Sequence, residues 1–121
     1  MATVGYKELD AYKKAYSVAV LIYKVTRKFP REELYGFSAQ LRRAAVSVPS
    51  NIAEGYMRGS KEYIQFLKIA LGSSAELDTQ LSLSVDVGLC LERDIKDIQS
   101  LNMEVTKLLK TYIKSLMLKQ K

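Results

Sequence analysis

Residues 35–60 read YGFSAQLRRAAVSVPSNIAEGYMRGS. At ~100° per residue, Phe37, Leu41, Ala44, Ala45, Val48 and Ile52 fall on one stripe, which predicts a helix over Phe37–Gly55. Pro49 lies inside it and has no N–H for the carbonyl of Ala45, so a kink is expected there. Ser47 or Ser50 is expected to satisfy part of the freed backbone. Gly55 and Gly59 bracket the exit, and Ser60 is a suitable N-cap for the next helix. Beside the apolar stripe runs a polar one: Gln40, Arg43, Ser47, Asn51 and Glu54.

The same period recurs on both sides. Upstream, Ala11, Ala15, Val18, Ala19, Ile22, Val25 and Phe29 share a face, giving a helix from Asp10, its expected N-cap, to Lys28. Pro30 ends it, because the residue before proline avoids the α region. Residues 30–36 then form a connection with one turn of 3₁₀. Downstream, Tyr63, Phe66, Leu67, Ala70, Ser74, Leu77, Leu81 and Val85 mark a helix over Lys61–Val87, stopped by Gly88. Its residues Gly72, Ser73, Ser74 and Ala75 are small and let a neighbour approach. Asp94 is expected to cap the last helix, which runs to Leu118 with Ile98, Leu101, Val105, Leu108, Leu109, Tyr112 and Leu116 inside. Four amphipathic helices with short links predict an all-α fold, an antiparallel up-down-up-down four-helix bundle, as a single domain over residues 1–121.

Composition narrows the function. The chain has 121 residues, 48% of them hydrophobic, which supports a real core. The longest apolar run, Ala15 to Tyr23, is interrupted by Ser17 and falls short of the roughly 20 residues of a membrane span. It also lacks a signal-peptide cleavage site, so a cytoplasmic location is expected. The single cysteine, Cys90, excludes an intramolecular disulfide and reads as a small buried hydrophobe. The chain has no histidine, which removes Ser-His and Cys-His activation, His acid/base chemistry and every His-containing metal site. No glycine-rich phosphate loop occurs. No enzyme activity, cofactor or metal is expected.

Net charge is +6 and unevenly spread. Residues 1–31 carry seven Lys/Arg against two acids, and residues 107–121 carry five lysines and no acid. The middle is acidic. Lys96, Lys107, Lys110, Lys114 and Lys121 fall on one outer face of helix 4. In an up-down-up-down bundle the start of helix 1, the 2–3 loop and the end of helix 4 share one end. That end gathers Lys7, Lys13, Lys14, Arg58, Lys61, Lys110, Lys114, Lys119 and Lys121. Such a patch attracts polyanions, and the lack of a base-reading module points to backbone-directed binding. Arg42 points ~100° from Arg43 and is free for the surface, a neighbouring subunit or a phosphate.

Two further groups complete the reading. Tyr16, Val20 and Tyr23 on helix 1, with Ile64 and Leu71 on helix 3, are apolar but lie off the core stripes, which suggests a subunit interface. Ser73, Glu76 and Gln80 extend the polar strip onto helix 3. A polar strip beside a core is usually a structural network that fixes register, and here Arg43 is expected to pair with Glu76 between helices 2 and 3.

The segment 35–60, above all RRAAVSVPSNIAEG, resembles the 23S-rRNA intervening-sequence protein family, the four-helix-bundle proteins. Tyr6–Leu9, Tyr23–Pro30 and Lys61–Gln80 are similar to it as well, so the resemblance reaches about Gly88, and helix 4 matches only in pattern. Tyr12 departs from an expected Trp, and Ala39 stands at a soft position. The resemblance implies a homopentameric ring of four-helix bundles. It also implies kinship in fold with the accessory proteins of diversity-generating retroelements, which are basic pentamers that bind nucleic acid and a reverse transcriptase. The family name describes a location within ribosomal RNA genes, not an activity. The leading expectation is a non-enzymatic homo-oligomer that binds RNA or DNA and no membrane. The alternative is a scaffold recruiting an acidic protein. An enzyme using carboxylates such as Glu54 and Glu76 is the third.

Overall fold

Where each helix stops follows from local chemistry. A computed structural model describes residues 5–120 and contains α1 (Asp10–Thr26), α2 (Phe37–Arg58), α3 (Ser60–Asp86) and α4 (Glu92–Lys119). Single 3₁₀ turns stand at Tyr6–Glu8 and, as expected in the connection, at Arg31–Glu33. α1 ends two residues short of Lys28. There the Lys28 and Phe29 N–H groups donate three residues back, to Val25 and Thr26, and this tightened turn leads into Pro30.

The two glycines of the α2 exit have different jobs. Gly55 does not end α2, which continues to Arg58. Gly55 is buried where α3 crosses, and a Cβ there would stand 2.5 Å from Cβ of Phe66. Gly59, at φ +109°, makes the turn. α2 passes through the buried Pro49 without a break. Ser47 does not turn back to the carbonyl that Pro49 leaves free; its hydroxyl bonds across to Ser73 at 2.8 Å.

The expected caps fall one to three residues inside the helices. Leu9, Gly59 and Leu91 occupy the N-cap positions, because each is non-helical while Asp10, Ser60 and Asp94 already belong to the first turn. Asp94 still helps: its carboxylate accepts the Leu91 N–H at 2.8 Å, and both acids favour the positive helix start.

The helices pack in a square, α1 against α2 and α4, and α3 against α2 and α4. The core stripes of α1 to α3 are buried as read, with Ala19, Phe37, Phe66 and Val85 only half-buried. In α4 the expected Ile98, Val105 and Leu109 are buried, and the rest of the seam lies about one residue away from the expected stripe. Ile95, Ile98, Asn102, Val105, Leu109 and Ile113 are buried, while Leu101, Leu108, Tyr112 and Leu116 flank them. Asn102 accounts for the shift. Its amide donates to the Ser74 carbonyl at 2.9 Å, and Thr106 and Ser74 complete a buried polar knot between α3 and α4. Ile64 is no interface residue: it is 8% exposed and packs in the core.

Candidate nucleic-acid interface

Three helix ends meet as the topology requires. The Gln120 amide donates to the Ser60 carbonyl at 3.2 Å, so the end of α4 meets the start of α3. A chain of ring contacts, Tyr16–Tyr12–Tyr6–Tyr56–Tyr63–Tyr112, links the start of α1 to the ends of α2 and α4, with centroids 5.2–6.3 Å apart. Burial pushes the Tyr63 phenol up, and Tyr112 adds to the rise. This ring is a neutral brace, not an acid or base. Sequence reading missed it, because its members sit on separate elements at no common spacing.

The cations of this end divide into two groups. Lys13 lies 3.8 Å from Glu8, and Lys14 lies 3.2 Å from Glu104. Arg58 is held by Glu54 at 2.7 Å and Glu62 at 3.3 Å, and its guanidinium stacks over Phe66. These bonds raise an already high pKa, with Glu54 the largest cause. In contrast, Lys7, Lys61, Lys107, Lys110, Lys114 and Lys119 are exposed and in no ion pair among the described residues. Lys121 lies outside the described residues.

Lys110 and Lys114 rim a groove between α3 and α4, floored by Leu71, Ile113, Met117 and Leu118. Lys68 of α3 stands on the same rim and was not singled out from sequence, although it follows Lys61 by seven residues and so shares its face. Arg42 is not part of this end. It lies near the 1–2 connection, where its Nε–H donates to Thr26 Oγ1 at 2.9 Å and its guanidinium stacks on Tyr23 at 4.7 Å.

The polar strip is only partly joined. Ser47 and Ser73 bond to each other, and the Asn51 amide donates to Ser47 Oγ at 2.9 Å. Gln40, Arg43, Glu54 and Glu76 are exposed, and the Gln80 side-chain oxygen is buried without a partner among the described residues. No Arg43–Glu76 ion pair forms. The two serines let α2 and α3 close on small residues at this seam, and both charges stay in water at less cost than a shielded pair.

The apolar residues assigned to an interface also separate. Tyr16, Val20 and Tyr23 are 57%, 41% and 38% exposed and line an α1/α2 groove with Val46 and Pro49. Leu71 is on the opposite face, in the lysine-rimmed groove. Cys90 is half-buried against the core, and burial pushes its thiol up, with Asp94 adding to the rise. Among the described residues, no three His, Cys, Asp or Glu gather to hold a metal, and no helix is long and apolar enough to cross a membrane.

The family model described as 23S rRNA-intervening sequence protein matches residues 7–111. The fold is similar to the crystal structure of a protein of unknown function from the S23 ribosomal protein family of Bacteroides thetaiotaomicron. The two share 25% identity and a TM-score of 0.79, over 86% of this chain and 95% of that one. Among curated proteins none matches significantly.

Proposed function

The chain belongs to the 23S rRNA-intervening sequence protein family, and from that premise we propose that it is a non-enzymatic homo-oligomer that binds the phosphate backbone of RNA or DNA. The observation that carries the reading is the lysine rim. Lys68, Lys110 and Lys114 stand together in no ion pair among the described residues, while Lys13, Lys14 and Arg58 of the same end are already paired. Unpaired lysines on a surface release condensed counterions when phosphates replace those ions.

Assembly is supported by the exposed Tyr16, Val20 and Tyr23 on the α1/α2 face, which differs in chemistry from the α3/α4 face opposite. The family resemblance favours five copies arranged as a ring. A ring repeats the lysine rim around its axis and raises avidity without new contacts. A second reading is favoured by the apolar floor of the groove: Leu71, Ile113 and Met117 between lysines suit an acidic amphipathic helix of another protein.

An anisotropy titration with a labelled single-stranded RNA, beside light scattering on a sizing column, tests both parts. Saturable binding by a particle of about five subunits is the expected result. A monomer at tens of micromolar removes the ring. Absence of RNA binding at low salt removes the nucleic-acid reading and leaves the acidic helix.

A further inference from the structure

Away from the lysine rim, the 1–2 connection builds a cleft of different chemistry. It has a volume of about 280 Å³ and is lined by Arg27, Arg31, Arg42 and Ser38 among apolar walls that include Phe29 and Leu34. Among the described residues no carboxylate lines it. Arg42 is fixed there from two sides, by the Nε–H bond to Thr26 and by the Tyr23 ring. Thr26 is itself locked, since its hydroxyl donates to the Ile22 carbonyl at 2.6 Å. The guanidinium is therefore pre-oriented, and its two terminal nitrogens have no partner among the described residues. Ser38 is 2% exposed, and its hydroxyl has no hydrogen-bond partner among the described residues. In the preceding turn, the Glu33 carboxylate accepts the Phe37 N–H at the start of α2.

We infer that this cleft is a binding site for a single phosphate group, which the Arg42 fork grips and to which Ser38 donates, with Arg27 and Arg31 supplying charge from the rim. The planar fork matches two phosphate oxygens at once, and a fork already held in place loses little freedom on binding. The apolar walls strengthen each charged contact by excluding water. The site stands apart from the lysine rim and does not rest on the nucleic-acid reading. The phosphate is either free or a backbone unit of a nucleic acid.

The test is a ¹⁵N–¹H titration of the intact protein that follows amides and the Arg Nε–H signals. The first probe is inorganic phosphate against chloride at equal ionic strength. The second is a single-stranded oligonucleotide without terminal phosphate. Saturable shifts at Arg42 Nε–H and Ser38 are expected with phosphate. They should weaken about tenfold or more in Arg42→Gln and less in Arg42→Lys, which keeps charge but loses the fork. Ser38→Ala should weaken them about threefold, a variant that leaves the Arg42 anchor untouched should Arg42→Gln fail to fold. The same shifts with the oligonucleotide support the site with a backbone phosphate as its source; shifts with inorganic phosphate alone support it with a free one. Shifts confined to α4 lysines, or unchanged in Arg42→Gln and Ser38→Ala, overturn it. So does a drop in oligomer mass in Arg42→Gln without any phosphate response, which assigns the fork to a neighbouring subunit's carboxylate. Lys110→Glu with Lys114→Glu should leave these shifts intact, so the site and the lysine rim fail separately.

Discussion

The α1/α2 and α3/α4 faces stand on opposite sides of the same bundle, one lined by tyrosines and the other by lysines around aliphatic residues. On the first, Tyr16, Val20 and Tyr23 are exposed, and the cations near its end, Lys13 and Arg58, are held by Glu8, Glu54 and Glu62. On the second, Met117 and Leu118 are exposed as well, and Lys68, Lys110 and Lys114 around its groove are in no ion pair among the described residues; beside the first groove Lys24 and Arg27 are likewise in none. Net charge does not by itself say which cations are available, because internal pairing already engages Lys13 and Arg58. We propose self-association through the first face and nucleic-acid backbone contact through the lysine rim of the second.

Assembly gives the largest expected effect. Val20→Glu with Tyr23→Glu places two charges on the α1/α2 face, both at partly exposed positions that the core tolerates. Light scattering should show a monomer with unchanged helicity, since burying unpaired charges at an interface costs several kcal/mol per subunit, on the order of a complete loss of association. An intact ring in this variant moves the interface to another face. Next, Lys110→Glu with Lys114→Glu should weaken RNA binding about tenfold or more while leaving oligomer mass unchanged. Equal affinity in an anisotropy titration would erase the distinction between the faces. The smallest effect belongs to Arg58→Gln, which removes a cation already shared by two acids. Its RNA affinity should change by less than about twofold, as expected for a surface pair. A loss as large as that of the lysine variant would show that ion pairing does not withhold charge from the ligand.

Much of this was legible in the sequence. The stripes of α1 to α3 followed from period alone, because small or branched apolar residues fill them with few competitors. The placement of helix ends in the basic patch followed from topology, and the Gln120–Ser60 bond realises it. Four things were not legible, each for a physical reason. The phase of α4 depends on Asn102, a polar side chain that pattern reading assigns to solvent but that is buried because its amide donates to the Ser74 carbonyl, while its backbone carbonyl accepts the Thr106 hydroxyl. Gly55 read as a stop because its missing side chain is needed by Phe66, a residue on another helix. Which cations remain available depends on partners such as Glu104, ninety residues from Lys14 in sequence. The fork of Arg42 was seen as available to a phosphate, but its anchoring by Thr26 and Tyr23 required the packed α1/α2 pair.

The most direct test of phosphate contact by the α4 lysines is the salt dependence of RNA affinity in the wild type, in Arg58→Gln and in Lys110→Glu with Lys114→Glu. Each phosphate neutralised on a single strand contributes about 0.7 to the slope of log affinity against log salt. The wild type should fall steeply, Arg58→Gln should keep the same slope, and the double lysine variant should lose about 1.4 of it. A wild-type slope near zero, or one that the lysine variant leaves unchanged while Arg58→Gln reduces it, contradicts the assignment of phosphate contact to the α3/α4 rim.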